Sequence, residues 1–155
     1  MEGLENRNLM SGPPDVGGGD YPKPRRIPMG LLGARIAKDA KSGVFRIEEI
    51  LPGQNWDKAL RSPLTELGVD VSEGDYILAV NRLPLSGNRS LHSYLANLAD
   101  KEVLLTVNDK PSLDGSREVV VVPLGNEIEL RYSDWVRTNR EYVADKTGGK
   151  IGYIH

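Results

Sequence analysis

The chain has 155 residues, a formal net charge of −2 and no cysteine. This composition excludes disulfide bonds and cysteine-based metal sites, and it gives no electrostatic support for binding nucleic acid or an anionic membrane surface. No apolar run approaches the roughly 20 residues that span a bilayer, and the first residues lack the basic start and apolar stretch of a signal peptide. We therefore expect a cytoplasmic protein of one main domain, with no cofactor and no metal.

Residues 1–28 are dense in proline and glycine and show no hydrophobic period. Such a segment buries too little apolar surface to offset the entropy of ordering it. The sequence therefore predicts a flexible tail over residues 1–28, a folded domain over 29–125, and a helix with a first strand over 126–155.

The folded part opens with two short β-like segments at residues 33–38 and 44–50, separated by the turn-rich sequence KDAKSG. Their length and partial alternation predict two strands of a hairpin. A short helical turn is predicted around Ser62–Leu67, with Pro63 at its first helical position.

The stretch GDYILAVN, residues 74–81, raises the question of whether Asp75 is a catalytic acid. Gly74 and Asp75 precede an apolar run of strand length, which favours a turn leading into a buried strand. We interpret Tyr76, Leu78 and their neighbours as packing residues.

Further along, leucines at helical spacing predict a helix that starts near Ser90 and runs through residues 91–98. Two strands follow, at 103–109 and 117–124, and a long helical pattern at 126–147 ends at two glycines. The residues after the glycines are predicted to begin another strand. The order of elements is mixed α+β and not a βαβ repeat.

Three motifs resemble a PDZ domain in its bacterial, circularly permuted arrangement: GLLGARI (30–36), SPLTELGVDVSEGDYILAVN (62–81) and SLHSYLANLA (90–99). The resemblance implies a partly open β-barrel or sandwich of five to six strands with two helices, here followed by a C-terminal helix. Longer phrases, such as GQNWDKALRSPL and GGKIGYIH, are similar to the PDZ region of tricorn-type serine proteases. In that family the segment after the PDZ domain runs into the catalytic core.

The resemblance implies a peptide-binding groove at GLLGARI, where glycines let backbone N–H groups converge on a carboxylate. An extended peptide would add to the following strand. The alternative is that the glycines only permit a turn into the domain. The candidate peptide-binding residues are Gly30, Leu31, Leu32, Gly33, Ala34, Arg35, Ile36, His92 and Leu95.

His92 lies near the start of the predicted groove helix, where the resemblance implies selection of a hydroxyl on the ligand; a surface histidine is the alternative. The chain has two histidines, His92 and His155, and neither matches a catalytic position of the family. No catalytic residue is assigned, because serine-peptidase chemistry needs a nucleophile with a base within hydrogen-bond reach.

Two functions remain in view: a non-catalytic PDZ module that binds or guides polypeptide substrate, including C-termini, and a structural spacer whose groove is occluded. The expected partners are extended polypeptide and other domains of the parent protease. One departure from the family pattern is Arg82, which follows Asn81 where glycine is common, so we expect a local change of the turn.

Overall fold

The computed structural model describes residues 27–86 and 88–154 of the chain. Residues 1–26 of the predicted tail and the terminal His155 lie outside the described residues. The strands are β1 (Ala34–Lys38), β2 (Phe45–Ile50), β3 (Tyr76–Val80), β4 (Leu83–Pro84), β5 (Val103–Asn108) and β6 (Arg117–Val121). The helices are α1 (Leu91–Tyr94) and α2 (Ile128–Thr147), with short 3₁₀ turns at Lys58–Leu60 and Pro63–Thr65.

One antiparallel sheet organises the described chain, in the spatial order β1-β2-β3-β5-β6, with β4 paired to β3. Strand β5 lies between β3 and β6 and is buried along nearly its whole length. Strand β6 alternates, so that Val119 and Val121 enter the core while Val120 is exposed. These features confirm the predicted α+β class with six strands and a C-terminal helix. No helix in the described ranges is long and apolar enough to cross a membrane.

The buried Asp75 holds the turn into β3, as the sequence favoured. Its carboxylate accepts a hydrogen bond from the Ser72 N–H at 2.8 Å and pairs with Arg117 Nη2 at 2.5 Å. Arg117 Nε also donates to the Asp70 carbonyl at 2.8 Å. These bonds join the start of β3 to the start of β6. They also supply the partners that a buried carboxylate needs to offset the loss of its hydration. The acid of GDYILAVN is therefore a structural group of the core.

Helix α1 is much shorter than predicted and ends at Tyr94. The reason is a long-range contact: Ala96 forms an isolated β-bridge with Met29, and the Asn97 N–H donates to the Pro28 carbonyl at 2.7 Å. Asn97 also takes a left-handed conformation, with φ of 61°. Leu91 and Leu95 are buried, but the predicted continuous helix over 91–98 is wrong.

Helix α2 agrees with its predicted bounds to within two residues and ends at Gly148, which has φ of 58°. The apolar residues along the helix do not form a continuous core face. Leu130 is fully buried, whereas Trp135 and Tyr142 are 50% and 63% exposed. The predicted strand after the helix is not formed in residues 150–154, which are irregular.

The turn between β3 and β4 has left-handed backbone geometry at both of its residues. Asn81 and Arg82 both have positive φ, at 50° and 63°, as a two-residue type I′ hairpin requires. Asn81 is held by Leu104, whose N–H donates to Asn81 Oδ1 at 3.0 Å and whose carbonyl accepts from the Asn81 N–H at 2.7 Å. Strand β5 therefore holds Asn81 from outside the turn, and a local difference from the family pattern stays a prediction.

We expect Arg82→Gly to stabilise the domain by about 0.5–1 kcal/mol, since glycine adopts a left-handed conformation without the Cβ clash. The measurement is urea unfolding. Arg82→Ala is the control, because it removes the exposed ion pair to Glu118 at 3.3 Å and keeps the strain. Equal stability of the glycine and alanine variants would show that the turn stores no strain.

Candidate functional site

A groove of about 420 Å³ lies between β1 and α1. Within the described residues, β1 pairs with β2 on one side and with no strand on the other. The groove therefore runs beside an edge strand whose outer side is open to another chain.

The structure brings the sequence-predicted site residues together. All of them except Gly33 line the groove: Gly30, Leu31, Leu32, Ala34, Arg35, Ile36, His92 and Leu95. Gly33 lies at its margin, with its N–H directed to the carboxylate of Glu127. Sequence reasoning missed six lining residues: Phe45, Glu48, Ser90, Leu91, Glu127 and Arg131.

Leucine side chains from opposite walls form the apolar floor. Leu32, before β1, is 4% exposed, and Leu91 and Leu95, in and just after α1, are 7% and 2% exposed. Ile36 and Phe45 pack against the same core and remain partly accessible. An apolar ligand side chain placed here would lose its contact with water, which is worth about 25 cal/mol per Å² buried.

Hydrogen bonds at both ends hold the single turn of α1 in place. Ser90 caps it by accepting from the His92 N–H at 3.2 Å. Tyr94 bonds to Ser86, accepting from its N–H at 3.1 Å and donating to its hydroxyl at 3.3 Å. These contacts lower the pKa of Tyr94, because the Ser86 hydroxyl and N–H can both donate to a phenolate.

His92 is exposed, and its side chain lines the wall of the groove. This position permits the predicted contact with a ligand hydroxyl, which stays a prediction. Among the described residues, no group of histidine and acidic side chains could hold a metal ion.

The loop before β1 is tied to three separate parts of the chain. The Gly30 N–H donates to the Leu95 carbonyl at 2.9 Å, and the Leu31 N–H to the Leu124 carbonyl at 2.8 Å. The Gly33 N–H donates to Glu127 Oε2 at 3.2 Å. A loop that resembles a carboxylate-binding turn thus already contacts a carboxylate of its own chain.

Charged side chains line the rim of the groove. Glu127 is held by Arg131, whose Nη2 and Nε approach Oε1 at 2.5 Å and 2.7 Å. Arg35 pairs with Glu49 at 3.2 Å. Glu48 is exposed and has no ion pair among the described residues. The acid–base spacing of Glu127 and Arg131 was visible in the sequence as an i, i+4 pair, but its place at the groove was not.

Comparison with known proteins agrees with this geometry. A family model described as the tricorn protease PDZ domain matches residues 30–126. The chain belongs to this family. The matched segment contains the sheet and α1 but stops one residue short of Glu127.

Curated relatives carry the same family name. The chain is 42% identical over 127 residues to tricorn protease homolog 1 of Streptomyces coelicolor, and 36% identical over 137 residues to the tricorn protease homolog of Saccharolobus solfataricus. These alignments cover 81% and 88% of this chain but 12% of each relative. The crystal structure of the tricorn protease matches with a TM-score of 0.69 at 24% identity, covering 82% of this chain and 12% of that chain. That match shows the shared fold.

We expect Gly33→Ala to destabilise the domain by about 2 kcal/mol, because strain and crowding add at this position. Gly33 has φ of +65°, and an added Cβ would lie 3.0 Å from Leu130 Cδ2 and 3.1 Å from Pro63 Cδ. Urea unfolding measures the change.

Gly43→Ala is the matched control. Gly43 has φ of +69° and nothing within 4 Å of an added Cβ, so it carries strain without crowding and should cost about 1 kcal/mol. An equal decrease in the free energy of unfolding in the two variants would show that the side chains around Gly33 accommodate the added Cβ without cost.

Proposed function

We propose that this chain is the non-catalytic PDZ module of a tricorn-like serine protease, and that it binds or guides extended polypeptide for proteolysis in the cytoplasm. The observation that carries the proposal is the open outer edge of β1 beside a groove with an apolar floor. Main-chain pairing along β1 would give affinity, and the floor would select one side chain. In this reading the sheet is the permuted PDZ arrangement, with β1 as the ligand-pairing strand.

The parent protein would supply the chemistry, because the chain spans 12% of the relatives quoted above. His92 is exposed, and its side chain makes no hydrogen bond to a serine hydroxyl within the described residues. We expect the isolated chain to leave fluorogenic peptides and casein uncleaved over hours. Turnover that survives repurification and is lost in His92→Ala would contradict this proposal and make the chain an enzyme.

We expect an extended peptide with an apolar residue to perturb the amide resonances of residues 30–37 and 91–95 in a ¹H–¹⁵N NMR titration. Ile36→Ala should weaken the affinity by about fivefold, because it removes apolar contact area from the groove. Ile50→Ala is the matched control, since Ile50 also packs against the core but does not line the groove. Absence of any perturbation at millimolar peptide would remove peptide binding from the proposal.

The second candidate is a structural spacer within the protease. Its supporting observation is α2, which exposes Ile128 by 67% and Tyr142 by 63% while burying little besides Leu130. Such a face fits packing against another domain of the parent protease. The groove of such a spacer is filled by the chain itself, either by α2 or by the tail before residue 27. A shortened chain that starts at residue 27 tests it: a gain in peptide affinity supports occlusion by the tail, and unchanged affinity rejects it.

A further inference from the structure

We propose that Glu127 fills the carboxylate position of the groove, so that the groove accepts an internal extended segment of polypeptide and rejects a free C-terminus. This inference rests on the proposed peptide-binding function and names the kind of peptide that the site takes. It makes Glu127 a specificity-determining residue.

The first step concerns the backbone donors of the loop. A terminal carboxylate is held by several N–H groups that converge on it. Here the N–H groups of Gly30, Leu31 and Gly33 already donate to Leu95, Leu124 and Glu127. The Leu32 N–H has no acceptor among the described residues. One remaining donor is too few to hold a carboxylate in place of its hydration shell.

The second step concerns charge. The Glu127 side chain is 11% exposed, and its carboxylate is fixed between the Gly33 N–H and the Arg131 guanidinium. A ligand carboxylate at the same loop would meet a like charge with little water between them, which disfavours binding. The guanidinium that would otherwise attract the ligand is already neutralised by its pair. The end of the groove is therefore closed to a terminal carboxylate by electrostatics as well as by lost donors.

The third step concerns what stays open. Among the described residues no strand pairs with the outer side of β1, and the floor formed by Leu32, Leu91 and Leu95 lines an accessible groove. A peptide that continues past the loop needs only strand pairing and an apolar side chain. Glu48, exposed on the rim and without an ion pair among the described residues, favours a lysine or arginine in that segment. The occupant that fits is an internal stretch with one apolar and one basic residue.

The position of Glu127 in the chain supports a role beyond the common fold. It lies one residue after the segment matched by the family model and directly before α2. The groove is thus built by the PDZ fold, and its selectivity is set by the helix that follows.

The test uses one fluorescein-labelled peptide, with an apolar last residue and an upstream lysine, prepared as a C-terminal acid and as a C-terminal amide. Binding to the 155-residue chain is measured by anisotropy and by NMR. We expect the unmodified chain to bind the amide several-fold more tightly than the acid. Glu127→Ala should bind the acid about tenfold more tightly than the unmodified chain does, because it frees a backbone donor and a guanidinium, with less than about a threefold change for the amide.

Glu129→Ala is the matched control. Glu129 is an exposed acid in the first turn of the same helix and does not line the groove, so it changes the net charge equally and should leave the acid-to-amide ratio unchanged. Glu127→Gln is a milder second variant that keeps an acceptor for the Gly33 N–H, and it should show a smaller gain for the acid. The comparison of acid and amide on the unmodified chain needs no variant.

The outcomes separate this inference from the proposed function. A clear preference of the unmodified chain for the acid overturns the inference and leaves peptide binding intact. An unchanged acid affinity in both Glu127 variants also overturns it, because another group would then exclude the carboxylate. If neither the acid nor the amide binds to the unmodified chain or to Glu127→Ala, the proposed function is overturned together with the inference.

Discussion

The backbone pairing of Leu31 with Leu124 is the constraint on which the groove depends. Each N–H donates to the other residue's carbonyl, at 2.8 Å and 2.7 Å. Leu31 lies just before β1 and Leu124 just after β6, the two outer strands of the sheet order. Since the pair ties these ends together, it brings the start of α2 beside the loop before β1. The contact between Glu127 and the Gly33 N–H follows from this placement.

The groove therefore has an apolar floor and a charged end, and these two parts come from different segments of the chain. Its floor is an extension of the domain core, because Leu32, Leu91 and Leu95 belong to the same buried cluster as the central strands. Its polar end comes from Glu127 and Arg131, which are outside the sheet. Apolar burial supplies affinity in such sites, while the placement of charges decides which ligand is excluded.

Hydrophobic periodicity in the sequence predicted those helices and strands whose bounds are set by neighbouring residues in the chain. The predicted strands correspond to β1, β2, β3, β5 and β6, because apolar residues alternate or run continuously over strand length there, whereas the two-residue β4 was not predicted. Helix α2 was predicted because its pattern persists to a glycine cap. Helix α1 was overextended because the bridge between Met29 and Ala96 spans a long sequence separation. The turn at Asn81 and Arg82 likewise depends on a distant residue, since Leu104 of β5 holds Asn81. Propensity is a weak prior where tertiary contacts compete with it.

The sequence by itself determined the family, the α+β class and the groove-lining residues of GLLGARI together with His92 and Leu95, because these reside in contiguous motifs. Only the tertiary structure decided that Asp75 is locked to Arg117, that much of α2 is exposed, and that Glu127 reaches Gly33 across 94 positions. The physical reason is that a hydrogen bond or ion pair between distant residues depends on where the sheet places them. The sequence around an acidic residue does not show which hydrogen-bond donor that residue will contact in the fold.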